Sequence, residues 1–277
     1  LKDLKDPIKC YVMFEYQTSF AAFQSSHQQR IVKTKEGKDL LAFIPFSPYE
    51  SWAQTVLVNG KITLPDNNTD NTPKTDNNID EDNTPITYNN IDEEGISYES
   101  DKIVHIIIVG MSKMGTAMAI ETAHLAHFPN FVRDNSKRTK ITFIDKNARE
   151  ESDFFMGRFS DLFKLCKWTD VDGNVHNCDA PTCDEYNYFA QNFIDVEWEF
   201  IRGSIEMPVL QQYLIDAANQ KGVKLTVAIC LPEPNSAAAA ALYLPREVYN
   251  SRNVQQVLVY QRYDDSLFCN LSEMRYK

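Results

Sequence analysis

The chain has 277 residues, 43% of them hydrophobic and 24% charged, which suits one large domain or two small ones with a full core. Nine glycines and twelve prolines exclude a collagen-like or proline-driven chain, and a formal net charge of −11 excludes a general binder of nucleic acid or anionic membrane. That charge is concentrated: Asp66 to Glu99 holds ten acids and one base, Lys74, and the remainder is close to neutral.

The first zone, residues 1–64, contains the apolar runs Lys9 to Tyr16, Leu40 to Phe46 and Thr55 to Leu64. The last reads as a β-hairpin turning at Asn59-Gly60, the dipeptide that a type I′ turn favours. Sequence leaves three roles open for this zone: a separate domain, an extra layer on a sheet, or the end of a preceding similar domain. The third draws on the likeness of Ile8 to Phe20 and Val254 to Phe268, which chance would also explain.

The second zone, 65–100, holds a duplication in which DNTPKTDNNIDE from Asp70 is followed at once by DNTPITYNNIDE, with ten of twelve positions identical. It is too polar to offset the entropy of ordering, so a disordered linker is expected rather than a calcium loop.

From residue 101 to 277 strands and helices alternate, the pattern of a parallel sheet with crossover helices. Strands are expected at Lys102 to Gly110, Thr139 to Asp145, Val196 to Gly203, Lys224 to Pro232 and Val254 to Gln261. Helices are expected at Lys113 to Phe128, Ser152 to Trp168, Met207 to Gly222 and from Ser236 to Leu244. Pro208 suits a first helical turn and Gly222 a C-terminal stop. Residues 127–139 read as an insert, with Arg133, Lys137 and Arg138 in it and Lys140 just beyond.

The run Gly110-Met111-Ser112-Lys113-Met114-Gly115 leaves a strand and opens a helix, the setting in which a dinucleotide fingerprint has meaning. Gly110 would permit the tight turn and Gly115 the close packing of helix on sheet, with backbone amides facing a pyrophosphate. Ser112 replaces the middle glycine, crowding the loop while adding a hydroxyl that could donate to phosphate. Asp145, 35 residues after Gly110, ends the second strand, where a carboxylate accepts ribose hydroxyls and repels a 2′-phosphate; a strand-end turn residue is the plain alternative.

Together the segments HIIIVGMSKMG, ITFIDKN, VEWEFIRGS and LTVAICLPEPN resemble the N-terminal Rossmann domain (the TrkA-N or RCK type) of regulators of potassium channels and transporters. The likeness spans roughly residues 102–262. That family ends its third strand in an Arg-Gly-Asp-like turn, where this chain has Arg202-Gly203-Ser204. The resemblance implies a cytoplasmic regulatory domain that binds NAD or a related adenine nucleotide and pairs with copies of itself beneath a membrane pore. The site residues it implies are Gly110 to Gly115, Asp145 with Lys146, and Arg202, Gly203 and Ser204.

An NAD-dependent oxidoreductase is the alternative, with Glu233 or Tyr263 as the candidate proton carriers, and a binding module is favoured over it. The five histidines default to structural roles. Six scattered cysteines do not make a disulfide scaffold and fit a reducing compartment; Cys10 and Cys230 fall in strand-like runs as buried thiols. Cys166, His176, Cys178 and Cys183 have near-zinc spacing, but separate thiols are the preferred reading, with Asp170 to Asn174 a hairpin tip. Self-association is expected, with Phe154, Phe155, Phe159 and Phe163 as candidate contacts beside the alternative of core packing. No apolar run approaches the length of about 18 residues that a spanning helix requires, no signal peptide opens the chain, and a start at Leu1 reads as a piece of a longer protein.

Overall fold

The computed structural model describes residues 7–15, 19, 23, 31–33, 39–59, 95–177 and 194–261. The duplication, Cys178, Cys183 and Tyr263 lie outside these. Strands β1 (Ile8–Met13), β2 (Ile31–Lys33) and β3 (Asp39–Phe46) come first, then helix α1 (Pro48–Asn59). Next are β4 (Ile103–Val109), α2 (Lys113–Leu125), α3 (Asn130–Arg133), β5 (Thr139–Asp145), α4 (Ala148–Arg158), α5 (Ser160–Leu165), β6 (Lys167–Thr169) and β7 (Val175–His176). The chain continues with β8 (Val196–Arg202), α6 (Pro208–Asn219), β9 (Val223–Ile229), α7 (Pro234–Leu242), α8 (Arg246–Asn250) and β10 (Val254–Val259).

The main sheet has seven strands in the order β10-β9-β4-β5-β8-β6-β7, parallel except for the final β6–β7 pair. Its five long strands follow the 3-2-1-4-5 order of a doubly wound Rossmann-like sheet, with β4 central and the order reversing between β4 and β9. Alternation along the strands divides the core. Ile106, Ile108, Ile141, Phe143, Trp198 and Phe200 face the side covered by α2, α4 and α5. Ile107, Val109, Ile144, Leu225, Val227 and Ile229 face the side covered by α6, α7 and α8. This two-sided burial explains why Ile103–Val109 is an almost unbroken apolar run.

The first side is dominated by aromatics. Phe143 stacks on Phe200 at 5.8 Å, and Phe155 meets Phe143 edge-on at 5.5 Å and Trp198 at 5.4 Å. Phe155 and Phe163 are therefore core residues, whereas Phe154 is 64% exposed.

Two expected elements are corrected. Thr55–Asn59 is the end of α1, so no hairpin strand leads into Asn59-Gly60. The β-branched run buries Val56, with Ala53 at the centre of a contact with α2, and that packing overrides strand propensity. The helix expected over Ser152 to Trp168 begins earlier, breaks at Phe159 and ends at Leu165, because Trp168 pairs as a strand with Trp198 on one side and His176 on the other. The Asp170 to Asn174 turn joins those strands as the expected hairpin tip, with Gly173 at φ +84°.

The N-terminal strands form their own sheet, β1-β3-β2, with β1 parallel and β2 antiparallel to β3. Helix α1 carries this sheet's connection onto the main unit: it packs on α2, and Trp52 meets Tyr260 beyond β10 at 5.9 Å. The basic residues around the 127–139 insert are used structurally. Arg133 bonds Glu99 and Asp101, Arg138 lies over Phe131, and Lys140 pairs with Glu199. Among the described residues no helix is long and apolar enough to cross a membrane.

Candidate functional site

The glycine loop takes its shape from steric necessity. Gly110 has φ +100°, a conformation open to glycine, and a Cβ there would sit 2.8 Å from the Cys230 carbonyl oxygen. At Gly115 a Cβ would fall 2.0 Å from the Gly110 carbonyl oxygen, so the first turn of α2 can lie against the loop only because that atom is missing. Ser112 is the N-cap of α2. Its Oγ accepts from the Gly115 amide at 3.2 Å and donates to the Cys230 carbonyl at 2.5 Å, fastening the loop to the end of β9. The hydroxyl expected as a phosphate donor is therefore engaged within the protein.

Asp145 fixes the loop from the other side. Its Oδ2 accepts from the Met111 amide at 2.8 Å and its Oδ1 from the Asn147 amide at 2.7 Å. Each carboxylate oxygen keeps acceptor capacity for a ribose hydroxyl, since a carboxylate offers about four lone-pair directions. The Gly203 amide donates to the Asp145 carbonyl at 2.9 Å, bringing the third strand end beside the second.

These ends surround a cleft of about 530 Å³ at the carboxyl edge of the sheet, within the range of small-molecule sites and at the place where a doubly wound fold opens one. Of the residues expected from sequence, Met111, Ser112, Asp145, Lys146, Gly203 and Ser204 line it together. Gly110 and Gly115 shape the loop from behind. Met114 is buried in the core at 1% exposure, Arg202 is exposed and outside the lining, and the Lys113 ammonium turns to Glu15 at 2.8 Å.

Sequence reasoning missed Glu151 and Glu206 as wall residues and considered Glu233 only as a base. A signal existed: all three stand where a helix begins, Glu151 in the first turn of α4, Glu206 just before α6 and Glu233 at the N-cap of α7. Helices of a wound sheet present these ends to the carboxyl edge. Cys230, behind the loop, has its thiol pushed up to about 12 by burial, which makes it inert.

A second polar cluster lies nearer the opposite end of the strands, under α6. His105 Nε2 and Thr142 Oγ1 are 2.9 Å apart; Thr142 donates to Glu199 at 2.8 Å; Tyr213 also donates to Glu199; and Lys140 pairs with it at 2.9 Å. Burial, with help from Lys140, lowers His105 to about 3, so it is a neutral structural histidine. Burial alone would raise Glu199, but Lys140 and its hydrogen-bond donors hold it below its ordinary value.

The four zinc-spaced residues are not brought together by what is described. Cys166 is fully buried in the aromatic core, and His176 stacks on Trp168 at 3.8 Å with its Nε2 on Asp170. Among the described residues no group of three or more His, Cys, Asp or Glu side chains could hold a metal. Cys10 is half-buried on β1 rather than buried. Comparison of the chain with protein-family models, curated proteins and solved structures finds no match.

Proposed function

We propose that this chain is a ligand-sensing regulatory domain whose cleft takes a ligand of the nucleotide class, NAD or a related adenine nucleotide being the class that the sequence resemblance suggests. The observation that carries the reading is the convergence of Met111, Asp145 and Ser204 on one cleft at the switch point of a Rossmann-like sheet. Asp145 would receive the ribose, while the wall beyond Gly203 and Ser204 would receive the base. The same carboxylate holds both the glycine loop and the entry to α4, so a ligand drawing on it would act on both. Such a link between ligand and scaffold is what a sensor needs.

The finer role follows from the resemblance: control of a potassium channel or transporter from the cytoplasmic side, by assemblies of identical domains. The oxidoreductase alternative rests on Glu233, which lines the cleft between Pro232 and Pro234 in the stiff entry to α7. Thermal-shift and calorimetric titration with NAD, NADH, ATP, ADP and AMP tests the reading, alongside an assay for hydride transfer. Saturable binding without turnover supports it. Turnover with NAD that is lost in Glu233→Gln would replace it with the oxidoreductase alternative.

A further inference from the structure

The amides of the glycine loop at the start of α2 already have side-chain partners from the protein, and the starts of α4, α6 and α7 carry acidic side chains nearby. A helix N-terminus attracts anions because its first amides are unpaired and its dipole is positive there. Here the Gly115 amide is bonded to Ser112 Oγ and the Met111 amide to Asp145. Glu151 stands in the first turn of α4, Glu206 just ahead of α6 and Glu233 at the N-cap of α7, and all three line the cleft with Asp145. Lys146 is the one basic side chain among the described wall residues, since Lys113 turns to Glu15 and Arg202 lies outside the lining.

The walls are therefore rich in hydrogen-bond acceptors and negative in sum. Phosphate oxygens are acceptors and carry more of the same charge, whereas ribose hydroxyls and an exocyclic amine are donors. We infer that the cleft selects against phosphate charge and takes an uncharged nucleoside, with ribose donating to Asp145. This inference rests on the reading above that the cleft takes adenine-nucleotide chemistry, and narrows it to the nucleoside part, with NAD and the phosphorylated forms as the weaker ligands. At the altered glycine position the Ser112 hydroxyl is turned to the Cys230 carbonyl and the Gly115 amide, so it is not offered to a phosphate.

The test is calorimetric titration of the whole chain with adenosine, AMP, ADP and NAD in magnesium-free buffer, at low and at moderate salt. Adenosine is expected to bind tightest, with affinity falling about fivefold or more for each added phosphate and the gap narrowing as salt screens the walls. In a Glu206→Gln/Glu233→Gln variant the ratio of ADP to adenosine affinity should rise about tenfold. Both side chains are exposed, so the variant should fold, which its thermal unfolding would verify. ADP or NAD binding as tightly as adenosine would overturn the inference and leave the nucleotide-class reading standing. An unchanged ratio in the variant would overturn the charge argument. No heat with any of the four would overturn both the inference and the reading beneath it.

Discussion

Gly115 and Ser112 have separable effects on the glycine loop. Gly115→Ala would drive a methyl group into the Gly110 carbonyl at 2.0 Å, and backbone on both sides leaves little room to yield. A loss of roughly 3 kcal/mol or more is expected, read as a lower urea midpoint. Ser112→Ala removes a cap and a link to Cys230 without overpacking, and should cost only about 1 kcal/mol. The need for glycine at 110 and 115 was legible in the spacing of the motif. The engagement of Ser112 and of both Asp145 oxygens was not, because it depends on the loop passing within hydrogen-bond reach of residues 34 and 118 positions away. A sequence can show that a hydroxyl or carboxylate stands at a strand end; which donor it meets depends on the path of another segment.

Among the elements, those whose own apolar run suffices were readable. Thr139–Asp145 emerges as the expected strand, and the near-continuous burial of β4, β5 and the second half of β9 makes the central sheet. Elements whose identity depends on a distant partner were misread, namely α1, which needs α2, and β6, which needs Trp198 and His176. The polar cluster under α6 has a consequence for acid stability. His105 titrates near 6.5 when unfolded but near 3 when folded, so between these values the unfolded chain binds the extra proton. Stability from this group is complete above about pH 6.5 and falls as the pH drops toward 3, by at most about 1.4 kcal/mol per unit. Glu199, held below its ordinary value, adds loss at the acid end of the range. His105→Gln should flatten the dependence of the urea midpoint on pH between 4 and 6.5; an unchanged slope would assign the acid sensitivity to other groups.

For the molecule as a whole, α1 ties the N-terminal sheet to the unit that carries the cleft. Ala53 is fully buried between α1 and α2, and α2 begins at the glycine loop. Ala53→Asp would place an unpaired carboxylate in that contact and should lower stability by at least about 3 kcal/mol, measured by chemical denaturation. If the N-terminal part were a loosely attached neighbour, the same variant would leave the main transition unmoved. Self-association, proposed with the regulatory role, would appear in light scattering as a mass above 31.8 kDa that rises with concentration. A constant monomer mass across the micromolar range would count against that part of the proposal. Phe155 and Phe163 are not available for such an interface, and Phe154 is the exposed member of the set.

The central claim is that the cleft binds a nucleoside or nucleotide through Asp145. Its most direct test is a pair of calorimetric titrations with adenosine and its phosphates, one on the native chain and one on Asp145→Ala, both at a temperature where the variant is folded. Saturable one-to-one binding to the native chain, weakened in the variant by roughly 1.5–3 kcal/mol for a lost charge-assisted hydrogen bond, is the result expected. Binding that is equal in the two proteins, or absent from the native chain with every ligand, would contradict the account.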